Sequence, residues 1–167
     1  MLGKPKRGVL ALLILGAIGC GLGVLIVQFR ACSSAIAARN IAYQASTGVR
    51  ALGTAARQML ADGKMPATAE WTPRGRACDQ PGRYFPFDAK HWQMPPWSEL
   101  GFSPSTDGDD VPVDGIYYQF RITRPTPGEV LVEARGDLDC DGTFSRFAQT
   151  VTKDSTSPLL TPSDARE

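Results

Sequence analysis

A chain of 167 residues with 18 basic and 17 acidic side chains has a formal charge of only +1, which argues against holding nucleic acid through bulk charge. The charge is unevenly spread: no Asp or Glu precedes Asp62, and from Ala31 onward 14 basic residues stand against 17 acidic ones. With the apolar stretch near the start set aside, about 140 residues remain, enough for one domain with one modest core.

Residues 1–8 form a short basic leader ending in Lys6-Arg7-Gly8. The 19 residues from Val9 to Val27 that follow hold no charge. At ~1.5 Å of rise per helical residue they nearly match the ~30 Å hydrocarbon core of a bilayer. Residues 9–29 are therefore expected to be a transmembrane helix. Three basic residues before the run and Arg30 after it predict a cytoplasmic N-terminus and an external head. Ala17-Ile18-Gly19-Cys20 also has the outline of a lipobox, so a lipoprotein acylated at Cys20 and a cleaved signal peptide are alternatives.

Residues 30–62 contain no proline and many alanines. At 100° per residue, Arg39, Arg50 and Arg57 fall within about 20° of one another. Ala38, Ile41, Ala42, Ala45, Val49, Leu52, Ala56, Met59 and Leu60 occupy an arc from about 200° to 300° away. The pattern predicts an amphipathic helix laid on its own core, stopped by Asp62-Gly63 and Pro66. Continuous with the apolar run, that helix would be ~80 Å long.

From Met65 to Pro112 the chain reads as an irregular, proline- and tryptophan-bearing connection whose aromatics pack onto the head. Asp107-Gly108-Asp109-Asp110 reads as a solvated loop. Strand signals come late: Gly115 to Ile122, Glu129 to Gly136 and Phe144 to Lys153, with Arg124–Gly128 as a turn. The expected fold class is α+β, a long N-terminal helix packed on a three- to four-stranded antiparallel sheet. The head should span residues 30–153, with a flexible tail over 154–167.

Asp137, Asp139 and Asp141, followed by Gly142, are spaced like the first half of a calcium loop, in which alternate side chains converge on one hard cation. Thr143 would add a backbone carbonyl and Ser145 a direct or water-mediated oxygen. Ala148 occupies the twelfth position, where an EF-hand places glutamate, so this is no EF-hand. The competing reading is an acidic turn whose aspartates cap backbone amides. Cys78 and Cys140 are the two head cysteines; in an oxidising compartment an even pair favours a disulfide, the alternative being two buried thiols. No catalytic constellation is recognisable. His91 stands alone beside Trp92, and no nucleophile elbow, phosphate loop or dinucleotide fingerprint occurs, so an enzyme is not expected.

The order of these parts resembles the type IV pilins and the pseudopilins of type II secretion, and more narrowly the pilin-like proteins of myxobacteria and their relatives. The resemblance rests on Lys6-Arg7-Gly8, on Trp97-Ser98-Glu99-Leu100-Gly101-Phe102, on Tyr117-Tyr118-Gln119-Phe120, and on Gly136 to Gly142 with Ser145. It implies cleavage by a prepilin peptidase between Gly8 and Val9, with N-methylation of the new terminus. It also implies an inner-membrane protein with a periplasmic head, or a pilus subunit at the cell surface, joined to other pilin or pseudopilin subunits through the N-terminal helix. Such proteins usually start with Phe or Met after the glycine and carry Glu five residues into the mature chain. Here those positions are Val9 and Leu13, a pattern that suits a minor pilin or a non-polymerising anchored binding module better than a major subunit.

Overall fold

The computed structural model describes residues 41–104 and 115–159. The leader, the apolar run with Gly8, Val9, Leu13 and Cys20, the helix expected before residue 41, the loop expected at Asp107–Asp110 and residues 160–167 lie outside the described residues. Those described belong to one unit, Ala38–Glu167.

Helix α1 occupies 41–61. Ala45, Val49, Leu52, Ala56 and Leu60 are its buried apolar side chains, spaced by three or four, and Arg50 and Arg57 are exposed on the other side. Burial follows the expected stripe at these positions, while Ile41, Ala42 and Met59 of the same stripe are only half-buried and Gln44, outside it, is buried. The stop is a Schellman motif: Gly63 has φ +72°, its N–H donates to the Leu60 carbonyl, and Lys64 N–H donates to the Met59 carbonyl at 2.8 Å. A left-handed residue satisfies the last carbonyls here, and glycine adopts it without a Cβ penalty.

The main sheet has four antiparallel strands in the order β1-β4-β5-β6: β1 (Ala69–Thr72), β4 (Gln119–Thr123), β5 (Val130–Gly136) and β6 (Ser145–Val151). Strands β4, β5 and β6 form the expected meander, with Phe120 opposite Ala134, Ile122 opposite Val132 and Ala134 opposite Phe147. Pleating sends Phe120, Ile122, Val130, Val132, Ala134, Phe147 and Val151 to the inner face, all buried in the one core that they share with α1. The outer face carries Gln119, Arg121, Glu133, Arg135 and Arg146.

Three features depart from the sequence expectation. Strand β1 lies inside the segment read as irregular and extends the sheet beyond β4. The stretch from Gly115 to Ile122 is not one strand. Residues Gly115–Ile116 form β3, which pairs with β2 (Phe85–Pro86) in a separate ribbon, and the main sheet begins only at Gln119. The described start of the tail, residues 155–159, folds back along the sheet: Ser157 N–H donates to the Thr150 carbonyl at 2.8 Å, Gln149 Nε2 donates to the Ser157 carbonyl, and Thr156 bridges Val151.

Short helix α2 (Ala89–Trp92), capped by the Asp88 carboxylate on Lys90 N–H, delivers Trp92 into the core. Trp92, Trp97, Phe102 and Phe120 form one aromatic cluster; Trp92 meets Trp97 edge-on at 5.1 Å, and Phe102 meets Phe120 at the same distance. These approaches suit the ring quadrupoles and add to simple area burial. Helix α1 reaches Phe120 through Gly48, where a Cβ would stand 2.5 Å from Phe120 Cε1.

That contact yields a test. Gly48→Ala should gain about 1 kcal/mol of helix propensity but lose about 1–3 kcal/mol to overpacking against a ring held by its aromatic neighbours. Urea denaturation should show a net loss. The Gly48→Ala/Phe120→Leu double variant should be more stable than the two single losses sum to, because the smaller side chain admits the methyl group.

Candidate metal centre

The loop joining β5 to β6 sits where pleat and turn converge. Asp137 follows the last β5 residue and Ser145 opens β6, opposite Gly136. Between them Cys140 has φ +70° and Gly142 φ +92°. Two left-handed residues in so short a span curl the loop and fold its acidic side chains towards one another.

Asp137, Asp139 and Asp141 each present one carboxylate oxygen within 4.8 Å of the others. Oxygens that sit ~2.4 Å from a calcium ion cannot be farther apart than about that span. Asp139 Oδ1 accepts Asp141 N–H at 3.1 Å, and Asp141 Oδ1 accepts Thr143 N–H at 2.6 Å. The capping reading is seen directly: Asp139 and Asp141 each cap an amide with one oxygen, and each keeps a second oxygen for other use.

Asp137 is the buried member. Its Oδ2 accepts from Arg76 Nη2 at 2.8 Å, while its Oδ1 is buried without any hydrogen-bond partner. A buried carboxylate oxygen with no donor is costly, and a hard cation satisfies it directly. Arg76 has its pKa raised, chiefly by the hydrogen bond to Asp137, against the opposing effect of desolvation. With Arg76 counted, three carboxylates and one guanidinium leave a formal −2, the complement of a divalent ion. The donor set is all oxygen, which suits calcium over softer metals.

The other two proposed ligands fare differently. Thr143 is at the loop's exit with its N–H already turned to Asp141. Ser145 is not brought to the cluster. It is 3% exposed, its hydroxyl lies 3.3 Å from the Gly136 carbonyl and 3.4 Å from the Tyr118 hydroxyl, and it faces the core. Counting along a loop assigned it a ligand position, but the β pleat begins at that residue and turns it inward.

Cys78 and Cys140 are joined in a disulfide with Cα atoms 5.7 Å apart, so the pairing, and not two buried thiols, is the state of the head. Cys78 lies in a 3-10 turn (Ala77–Asp79) just after Arg76. The bridge therefore holds both the loop and the arginine that neutralises Asp137. Arg76 had no signal in sequence, since it is one of several arginines in an irregular stretch and its partner is 61 positions away. No protein-family model matches the chain, and neither does any curated protein or solved structure.

Cys78→Ser/Cys140→Ser should cost about 4 kcal/mol on chain-entropy grounds for a closed loop of this size, read as a lower denaturant midpoint than the oxidised parent. Reduction of the parent should reproduce the loss.

Proposed function

We propose that this protein is a membrane-anchored, pilin-like structural subunit, a minor pilin of a type IV pilus or a pseudopilin of type II secretion. Its head would be stiffened by a disulfide and by calcium at Asp137, Asp139 and Asp141. The observation that carries this reading is the use of α1. The helix is already formed at residue 41, lays its apolar stripe on an antiparallel meander, and follows a sequence whose apolar run Val9–Val27 is long enough to span a bilayer. On this reading one element would serve as anchor at its front and as scaffold at its rear. Among the described residues no helix is long and apolar enough to cross a membrane; the run itself lies before them.

In a filament, apolar helices packed side by side would keep Val9–Val27 from water at every stage, and the heads would be displayed outside. Leu13 supports a second reading. Without a carboxylate there to meet a neighbour's terminal amine, the same architecture serves an anchored binding module that does not polymerise. The two part company over sheared surface filaments, which contain the first and lack the second.

Mass spectrometry of the native protein should find Val9, N-methylated, as the first residue. An intact Met1 would remove peptidase processing, and an acylated Cys20 would make the protein a lipoprotein. For the metal, calcium at a hundredfold excess over its Kd should add about 2.7 kcal/mol to the stability of the full chain in nonionic detergent. Magnesium, which demands tighter octahedral geometry, should give less. Asp139→Ala/Asp141→Ala should abolish the calcium increment, and a parent protein indifferent to calcium would end the metal proposal while leaving the anchor untouched.

A further inference from the structure

The outer face of the main sheet holds a cluster that the proposed assembly does not use. Arg121, Arg135 and Arg146 share it with one carboxylate, Glu133, which is 4% exposed. Both Glu133 oxygens are taken: Oε2 accepts from Arg121 Nε at 2.8 Å and from Arg121 Nη2 at 2.5 Å, and Oε1 accepts from Arg146 Nη2 at 3.0 Å. Among the described residues no acidic group pairs with Arg135. Like charges facing across a strand pair repel, yet Arg135 and Arg146 are direct cross-strand partners.

Arg135 is also held in place with unusual completeness. Its guanidinium carbon lies 4.3 Å from the Trp71 ring centre and 4.7 Å from that of Phe144. Arg121 packs over the same Trp71 ring at 4.4 Å. Arg135 Nε donates to Gln119 Oε1 at 2.9 Å. Gln119 is in turn fixed by donating its amide to the Pro73 and Gly75 carbonyls. The rings cover guanidinium surface and freeze its plane, leaving the Nη edge as the direction in which hydrogen bonds can form. Burial first, then Arg121 and Arg146, lowers the Arg135 pKa, with Glu133 opposing.

We propose that Arg135 and Arg146 form an anion site that takes a phosphate group. Three guanidiniums and one carboxylate leave a formal +2, which matches the charge of a phosphate dianion near neutral pH. A tetrahedral oxyanion can accept from both arginines at once, whereas a single carboxylate offers less charge and fewer oxygens. Part of the geometry is set before binding, since Arg135 is already ordered by Trp71, Phe144 and Gln119. The site requires neither calcium nor filament assembly.

The test is a calorimetric titration of the full chain in nonionic detergent with inorganic phosphate and, separately, with glycerol 3-phosphate as a soluble lipid-headgroup probe. Saturable 1:1 binding of either supports the site, and tighter binding of glycerol 3-phosphate assigns it to a lipid headgroup. Arg135→Gln and Arg146→Gln should each weaken binding at least tenfold. Arg135→Lys, which keeps the charge but not the fork, should fall between. Arg124→Gln, at the exposed turn after β4, should bind as the parent does. Near-UV circular dichroism matching the parent separates lost binding from lost folding. Absence of saturable binding by the parent overturns the proposal, as does binding that survives in the folded Arg135→Gln/Arg146→Gln protein. Abolition of binding by sodium chloride and sodium sulfate equally at matched ionic strength would also overturn it, since that marks diffuse attraction instead of a built site.

Discussion

The fit of α1 onto the inner face of the sheet is the interaction on which the rest of the head depends. Nothing else among the described residues brings so many fully buried side chains together: Ala45, Val49, Leu52 and Ala56 from the helix meet Phe120, Ile122, Val130, Val132 and Val151 from the strands. At ~25 cal/mol per Å² of apolar surface, that layer is the main source of hydrophobic stabilisation for a domain this small. It tolerates little adjustment, because interiors are close-packed and Gly48 brings the helix backbone against the Phe120 ring. The aromatics of the connection then build outward from Phe120, through Phe102 and Trp92 to Trp97.

Strand β5 turns this packing into chemistry. Its alternate residues Val130, Val132 and Ala134 are committed to the core, so Glu133 and Arg135 must stand on the opposite face. Asp137 continues that outward series into the loop, where Arg76 and the disulfide meet it. The acidic loop and the arginine cluster are thus adjacent products of one strand's pleat. The carboxylates concentrate at the loop and the guanidiniums on the sheet, so two charge fields of opposite sign lie side by side on a head that is nearly neutral as a whole.

Features set by local periodicity or turn chemistry were legible in the sequence. The stripe of α1 needs only the 3.6-residue repeat, its end needs Gly63, and β4 to β6 declare themselves by alternation between turn residues. The convergence of Asp137, Asp139 and Asp141 was legible for the same reason, because it is a property of seven consecutive residues. What escaped reading depends on partners far along the chain. Ala69–Thr72 is too short and too close to prolines to signal a strand, and becomes one only because β4 offers a free edge. The Arg76–Asp137 pair, the stacking of Trp71 on Arg121 and Arg135, and the separation of β3 from β4 all require the tertiary fold first. Ser145 shows the converse error: a loop count extended one residue into a strand assigns the side chain to the wrong side.

The disulfide also sets how the head would respond to load. Residues Cys78 and Cys140 are 62 positions apart, so the bridge withholds about 200 Å of contour from any extension of the chain. Strands β4 and β5, the two central strands of the sheet, lie wholly inside the closed loop, while α1, β1 and β6 lie outside it. A pull applied through α1 and the end of β6 would peel edges from the sheet but could not draw out its middle. The covalent link therefore makes the centre of the sheet a mechanical clamp, with its extensibility confined to the elements at the rim.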